Sequence, residues 1–236
     1  MNLLLRLPVF ALALTLGATA LHAQANSASL TGVLAQLDKA SSSFKDARAD
    51  LKADYYERVV KDTTTQAGPI YFERHGASIE MGAVLSEPGA KAKVIDYSNG
   101  TLRMFDPGVD QITQVQAGPN QGQFESFLTL GFGGSGHDLA NAWNIDDKGP
   151  ETLSDGGHPV KTEKLDLVSK DPGVKSKVSH VTIWVDPTRS VSLKQVFYLP
   201  SGDTRTNTFS NIKLNGNIDK GTFKMKTDSH TTTVRH

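Results

Sequence analysis

A mainly β fold, an incomplete antiparallel β-barrel of about 10–11 strands under a helical lid, is predicted by three observations. From Ala49 onward, apolar and polar residues alternate with a period of two over most of the chain. The alternating runs are short and return roughly every 8–12 residues, bounded by Gly, Pro and Asn, as in an antiparallel meander. Few segments have helical spacing: one precedes the strands and two interrupt them midway.

Residues 1–25 come before this pattern. Arg6 stands near the start, an almost wholly apolar run extends from Leu7 to Leu21, and Ala23-Gln24-Ala25 forms a small-x-small site. Together they read as a secretory signal peptide cleaved before Asn26. The run falls short of the about 20 apolar residues needed to span a bilayer. Residues 26–236 are then expected to form a single domain, with a disordered tail at 228–236. The chain has no cysteine, which excludes both a disulfide framework and a lipid-bearing Cys at the mature N-terminus. A soluble periplasmic protein is expected.

Charge narrows the partners. The chain carries 25 basic and 25 acidic residues, and loss of Arg6 leaves a net charge of about −1. No basic excess points to nucleic acid, and no polybasic cluster points to anionic lipid. Recognition must rest on shape and apolar surface.

The elements follow in order. Leu30, Val33, Leu34, Leu37 and Phe44 define one face of a helix over 29–44, capped by Ser27 or Ser29. Leu51, Ala53 and Tyr55 share one face of the first strand. Further strands are expected at 66–73, 78–85, 93–97, 101–105 and 111–116, with Asn99-Gly100 the clearest hairpin turn. Residues 123–130 and 137–143 read as short helices flanking the Gly-rich connection 131–136, a hinge or a loose linker. Strands resume at 160–168, 178–186, 191–199, 205–214 and 222–225. A meander with one apolar face needs a cover, and the scarce helices suit a lid over a curved, unclosed sheet.

Two stretches resemble the LolA family of lipoprotein carriers. The first is Lys93-Val94-Ile95-Asp96-Tyr97-Ser98-Asn99-Gly100, continuing through Leu102-Arg103-Met104-Phe105-Asp106-Pro107-Gly108-Val109-Asp110-Gln111-Ile112-Thr113. The second runs from Val185-Asp186-Pro187 through Gly202-Asp203-Thr204 and Phe209-Ser210-Asn211-Ile212 to Ile218-Asp219 and Phe223. The resemblance implies an unclosed barrel with a helical lid that carries acylated lipoproteins across the periplasm. Its implied partners are an inner-membrane release complex and an outer-membrane receptor. It also implies a lid-holding role for Arg74, in the place of the Arg of a family Arg-Pro pair whose Pro is His75 here. The family's aromatic pair becomes Arg103 and Phe105. A divergent copy with a different lipid or peptide cargo fits these departures as well.

An acyl cavity would be lined by apolar residues sharing the inner face. Alternation selects Leu51 with Tyr55, Ile70 with Phe72, Ile79 with Met81, and Val181 with Ile183 and Val185. The same alternation is compatible with a packed core. The rival function is a non-carrier envelope module of the same fold that senses lipid or binds a protein. No enzyme is expected. Ser135, His137 and Asp138 are too close in sequence for triad geometry, and no Gly-x-Ser-x-Gly elbow is present. The histidines show no metal-ligand spacing and the glycines lack a phosphate-loop Lys, so neither metal nor cofactor is expected. No feature requires a second copy, and a monomer is expected.

Overall fold

The computed structural model describes residues 18–76, 78–118, 121–128 and 130–235. The expected signal segment lies outside the described residues up to position 17. Helix α1 spans Ala18–Ser43, so it begins inside that segment and passes through Ser27 and Ser29, which the sequence suggested as caps. The reason is local: no Gly or Pro interrupts 18–31, and the strong helix former Ala recurs at Ala18, Ala20, Ala23, Ala25 and Ala28.

Six strands follow: β1 (Asp46–Glu57), β2 (Asp62–His75), β3 (Ser78–Leu85), β4 (Lys93–Ser98), β5 (Thr101–Asp106) and β6 (Gln111–Gln116). Helices α2 (Gln121–Leu128) and α3 (Gly136–Ala142) lead to β7 (Trp143–Asp155) and β8 (His158–Ser169). After α4 (Pro172–Lys175) come β9 (His180–Asp186), β10 (Val191–Tyr198), β11 (Thr204–Leu214) and the short β12 (Thr232–Arg235).

Among the described residues all twelve strands belong to one sheet, in the order β12-β6-β5-β4-β3-β2-β1-β11-β10-β9-β8-β7. Every pairing is antiparallel except β12 with β6. The first strand is therefore central. It pairs with β2 from Asp46↔Glu73 to Glu57↔Asp62 and with β11 from Ala47↔Leu214 to Tyr56↔Thr204. β7 and β12 remain unjoined edges, so the sheet is open rather than a closed barrel. Its flanks nevertheless face each other: Leu102 and Val115 line one groove with Val174 and Val178.

Two expectations are corrected. Strand β7 falls where no strand was expected, because Asp147-Lys148-Gly149-Pro150 is absorbed as a bulge between the Asp147↔Leu165 and Pro150↔Glu163 pairs. Residues 222–225 form no strand; a 3₁₀ turn over Lys220–Phe223 replaces it, capped by Asp219 accepting from the Gly221 N–H. In the segment 228–235, β12 pairs with β6 over Thr232–Arg235. Helix α4, too short for periodicity to show, is capped by Asp171 with Pro172 in its first turn.

Among the described residues, two apolar clusters fill the concave side. One centres on β1, β2, β3 and β11 with Phe44 and Phe132. The other joins Val33 and Leu37 of α1 to Trp143, Leu165, Leu167, Val181, Ile183 and Val185.

The β7 bulge also buries two carboxyl groups beside each other. Burial, then the hydrogen bond shared with Asp147, pushes the Glu163 carboxyl up to about 7 from its ordinary 4.5. The native state thus holds a proton that the unfolded chain releases. Its contribution is complete below pH 4.5 and is lost as pH rises to about 7. Glu163→Gln keeps a donor without titrating. It is expected to raise stability at pH 8 by roughly 1–2 kcal/mol and to change little at pH 4, as urea unfolding at both pH values would read.

Candidate functional site

The candidate lining residues all point to the concave side, but they fall into different groups. Leu51, Ile70, Phe72 and Met81 belong to the first cluster, with half-buried Tyr55 packed against it. Val181, Ile183 and Val185 belong to the second. Ile79 is buried nearer the end of β3 that pairs with Arg74.

The central strand explains what fills the space between them. Its inner face presents Ala47, Ala49, Leu51 and Ala53, and three of the four are alanines. These small side chains leave a hollow along the middle of the sheet. Phe132 enters it, stacking on Phe72 at 4.4 Å between ring centres and meeting Phe209 edge-on at 4.7 Å. The space left between α1 and the sheet near Leu37, Leu130 and Ile183 is only about 50 Å³. The larger groove, about 760 Å³, lies at the seam between the flanks, beside Phe127, Val174 and Val178.

Phe132 is carried by the Gly-rich stretch, which is tied down along its length. The Gly133 N–H donates to the Ser190 carbonyl at 2.8 Å. Ser190 Oγ donates to the Gly134 carbonyl at 2.8 Å. The Gln195 amide donates to the Leu130 carbonyl, and the Ser192 N–H to the Gly131 carbonyl at 2.5 Å. Glycine is needed at two of these positions. A Cβ on Gly131 would fall 1.7 Å from Ser192 Oγ, and one on Gly133 2.3 Å from the Phe44 ring, with φ of +83° and +72°. Of the two readings, hinge or loose linker, the second does not hold here.

Arg74 binds this loop to the lid. On β2, its Nη1 donates to the Ser41 carbonyl at the end of α1, at 3.0 Å. Its Nη2 donates to the Gly133 carbonyl. Ser41 Oγ donates to the same Gly133 carbonyl at 2.7 Å, and the guanidinium lies 5.6 Å from the Phe44 ring centre. One side chain therefore joins sheet, lid helix and loop. At the other end of the loop, a Cβ on Gly136 would stand 2.1 Å from the Leu34 carbonyl oxygen, so α1 and α3 are in close backbone contact.

The Arg74 neighbour that replaces the family Pro has company that linear spacing does not show. Pairing of β2 with β3 brings Glu73 opposite Glu80, and His75 Nε2 lies 3.5 and 3.3 Å from their carboxylates. Ligand atoms of all three fall within 4.8 Å. Lys220, from the 3₁₀ turn, supplies the positive charge there, at 2.5 Å from Glu73 and 2.9 Å from Glu80. Tyr71 donates to Glu80 at 2.7 Å. Burial works against an ionised Glu80, yet the Tyr71 and Lys220 hydrogen bonds hold its carboxyl below the ordinary range. With Phe223 edge-on to Tyr71 at 4.7 Å, the cluster fastens the C-terminal segment to the sheet.

Ser135 and Asp138 serve a different end. Ser135 caps α3, accepting from the Asp138 N–H at 3.0 Å and donating to the Asp138 carboxylate at 2.7 Å. The His137 N–H donates to Asp38 of α1 at 2.9 Å, and its ring meets Asn141.

No family model and no curated protein matches this chain. Among solved structures, it is similar to an uncharacterized conserved protein from Thermus thermophilus. That likeness has a TM-score of 0.53 at 11% identity, over 88% of this chain and 99% of the other. A LolA superfamily protein from Nitrosomonas europaea gives a TM-score of 0.40 at 14% identity, over 83% and 97%. The Mycobacterium tuberculosis lipoprotein LppX gives 0.44 at 12%, over 81% and 98%. At such identities the Thermus likeness is one of fold: a mainly β, open sheet with few helices.

Arg74→Leu removes the donors to two carbonyls, while Ser41 Oγ still serves Gly133. The expected cost is roughly 1–3 kcal/mol in urea unfolding. Faster amide exchange is expected at Phe44 and Gly133, whose N–H groups hold the lid end and the loop; unchanged exchange there would remove Arg74 from lid closure.

Proposed function

We propose that the protein is a periplasmic, LolA-like carrier that takes up acyl chains of lipoproteins on the concave face and delivers them towards the outer membrane. The observation that supports it most is the hollow over Ala47, Ala49 and Ala53. A sheet built only to be a solid core would place larger residues on its central strand. Here the space is filled from the movable side, by Phe132 on a loop held through Arg74.

Loading then requires exchange of one apolar filling for another. Withdrawal of Phe132 uncovers Phe72, Phe209 and the alanine floor, and an acyl chain covers them again at about 0.8 kcal/mol per buried methylene. The hydrogen bonds of Arg74 to Ser41 and Gly133 are few, and each contributes about 0.5–1.5 kcal/mol. A closure of that size can be reversed by cargo that favours the open state. The groove beside Phe127 and Val178 continues the apolar path to the outside. Its acyl partners are lipoproteins, and the release complex and receptor named by the resemblance are the donor and acceptor. The chemistry asked of the chain is binding without covalent change.

The test is displacement of a fluorescent fatty-acid probe by a triacylated lipopeptide. Probe binding at micromolar protein and competition by lipopeptide are expected; an absence of both removes the carrier reading and leaves the rival envelope module. Phe132→Ala should lower stability by roughly 3–5 kcal/mol while tightening probe binding, because the filling is gone. Arg74→Leu should load normally but transfer poorly to an acceptor membrane fraction, and unchanged transfer would take Arg74 out of the mechanism.

A further inference from the structure

In an antiparallel meander the β1–β2, β3–β4 and β5–β6 turns fall on one end of the sheet. That rim carries the three most exposed large apolar side chains among the described residues: Val59 at 84%, Val109 at 70% and Val60 at 63%. Val59 and Val60 occupy the middle of the β1–β2 turn, where Gly, Asn, Asp or Ser would be ordinary and β-branched residues are poor choices. Lys61 closes this turn at φ +55°. Nothing in the packing requires the valines, since they touch neither cluster.

We propose that this rim is a membrane-contact edge, with Val59-Val60 and Val109 dipping into the headgroup boundary of a phospholipid bilayer. The order of residues along the first tip matches the layers of such a boundary. Two valines form the apex, Arg58 and Lys61 flank them, and Glu57 and Asp62 lie one position further out. Apolar groups reach deepest, cations stand at phosphate level, and carboxylates remain in water. At the second tip Val109 stands between Asp106 and Asp110, and the cations come from the neighbouring connection and strand: Lys93 pairs with Asp106 at 3.0 Å, and Lys91 Nζ lies 3.5 Å from the Pro107 carbonyl oxygen.

Spacing favours a bilayer over a protein partner. The tips are four strand spacings apart, roughly 19 Å, with the exposed polar β3–β4 connection between them. A stable protein interface buries about 800 Å² per partner as one patch, which isolated points do not supply. A bilayer offers the same apolar medium beneath every point. The charge balance of the whole chain adds that apolar insertion, rather than bulk attraction, is the main contribution. The contact does not presuppose acyl cargo, and lipid vesicles free of lipopeptide can test it alone.

The form to use is the chain from Asn26, the expected mature start, which keeps every described residue of both clusters. It is expected to co-sediment with phosphatidylethanolamine–phosphatidylglycerol vesicles. Val59→Asp with Val60→Asp and Val109→Asp should weaken partitioning by roughly tenfold or more, with unchanged thermal unfolding. Because the chain has no cysteine, Val60→Cys accepts a single environment-sensitive dye, whose emission should shift to the blue on vesicle addition. The proposal is overturned if the native chain stays in the supernatant, or if the Asp variants sediment equally. It is also overturned if the dye shifts with protein concentration in the absence of vesicles, which would assign the tips to a second copy.

Discussion

An open sheet whose inner face is apolar cannot protect that face by itself. In a closed barrel the opposite wall supplies the contacts; here β7 and β12 never meet, and other parts of the chain must do so. Almost everything else in the structure follows from that constraint. Helix α1 lays Val33 and Leu37 over β8 and β9, and the loop after α2 places Phe132 over β1, β2 and β11. The cover is divided between a helix and a loop, and the two are fastened at one place, around Gly133.

The fastening is polar while what it secures is apolar. Phe132 brings area removed from water, which is large but non-directional. The bonds among Arg74, Ser41, Gly133 and Ser190 bring direction, and fix one arrangement of that area. On the proposed carrier function, such a division suits a protein that must change its filling. Apolar contacts transfer readily from a phenylalanine to an acyl chain, and a small set of hydrogen bonds can open without disturbing the strands beneath. The same division appears on the opposite side of β2, where Lys220 between Glu73 and Glu80 holds down the end of the chain.

Much of this was legible in advance. Alternation located most of the strands, including β3 and β6 at their observed ends, because a period of two with Gly-Pro-Asn boundaries is a local signal. It failed at β7, where the bulge at Asp147-Lys148-Gly149-Pro150 carries the chemistry of a turn but is spanned by pairing to β8. It failed again at 222–225, where Phe223 is anchored by Tyr71 rather than by a neighbouring strand. Arg74 was singled out through resemblance, not through its own pattern; one arginine on a strand gives no sign of what its guanidinium will meet. Phe132 was missed, because an aromatic residue among glycines reads as part of a loose connection.

By itself, then, the sequence determined a chain without cysteine, a meander of short strands and an inner face of small and apolar residues. These are properties of neighbours along the chain, and short-range sterics and hydrophobic periodicity suffice for them. Only the tertiary structure decided that β11 returns to β1 and makes the first strand central, and that Phe132 fills the hollow over its alanines. Only there do Arg74, Ser41 and Gly133 converge, and only there do Val59, Val60 and Val109 share one rim. Those outcomes depend on groups 33 to 170 positions apart, whose meeting is set by sheet order and by the need to cover an open face.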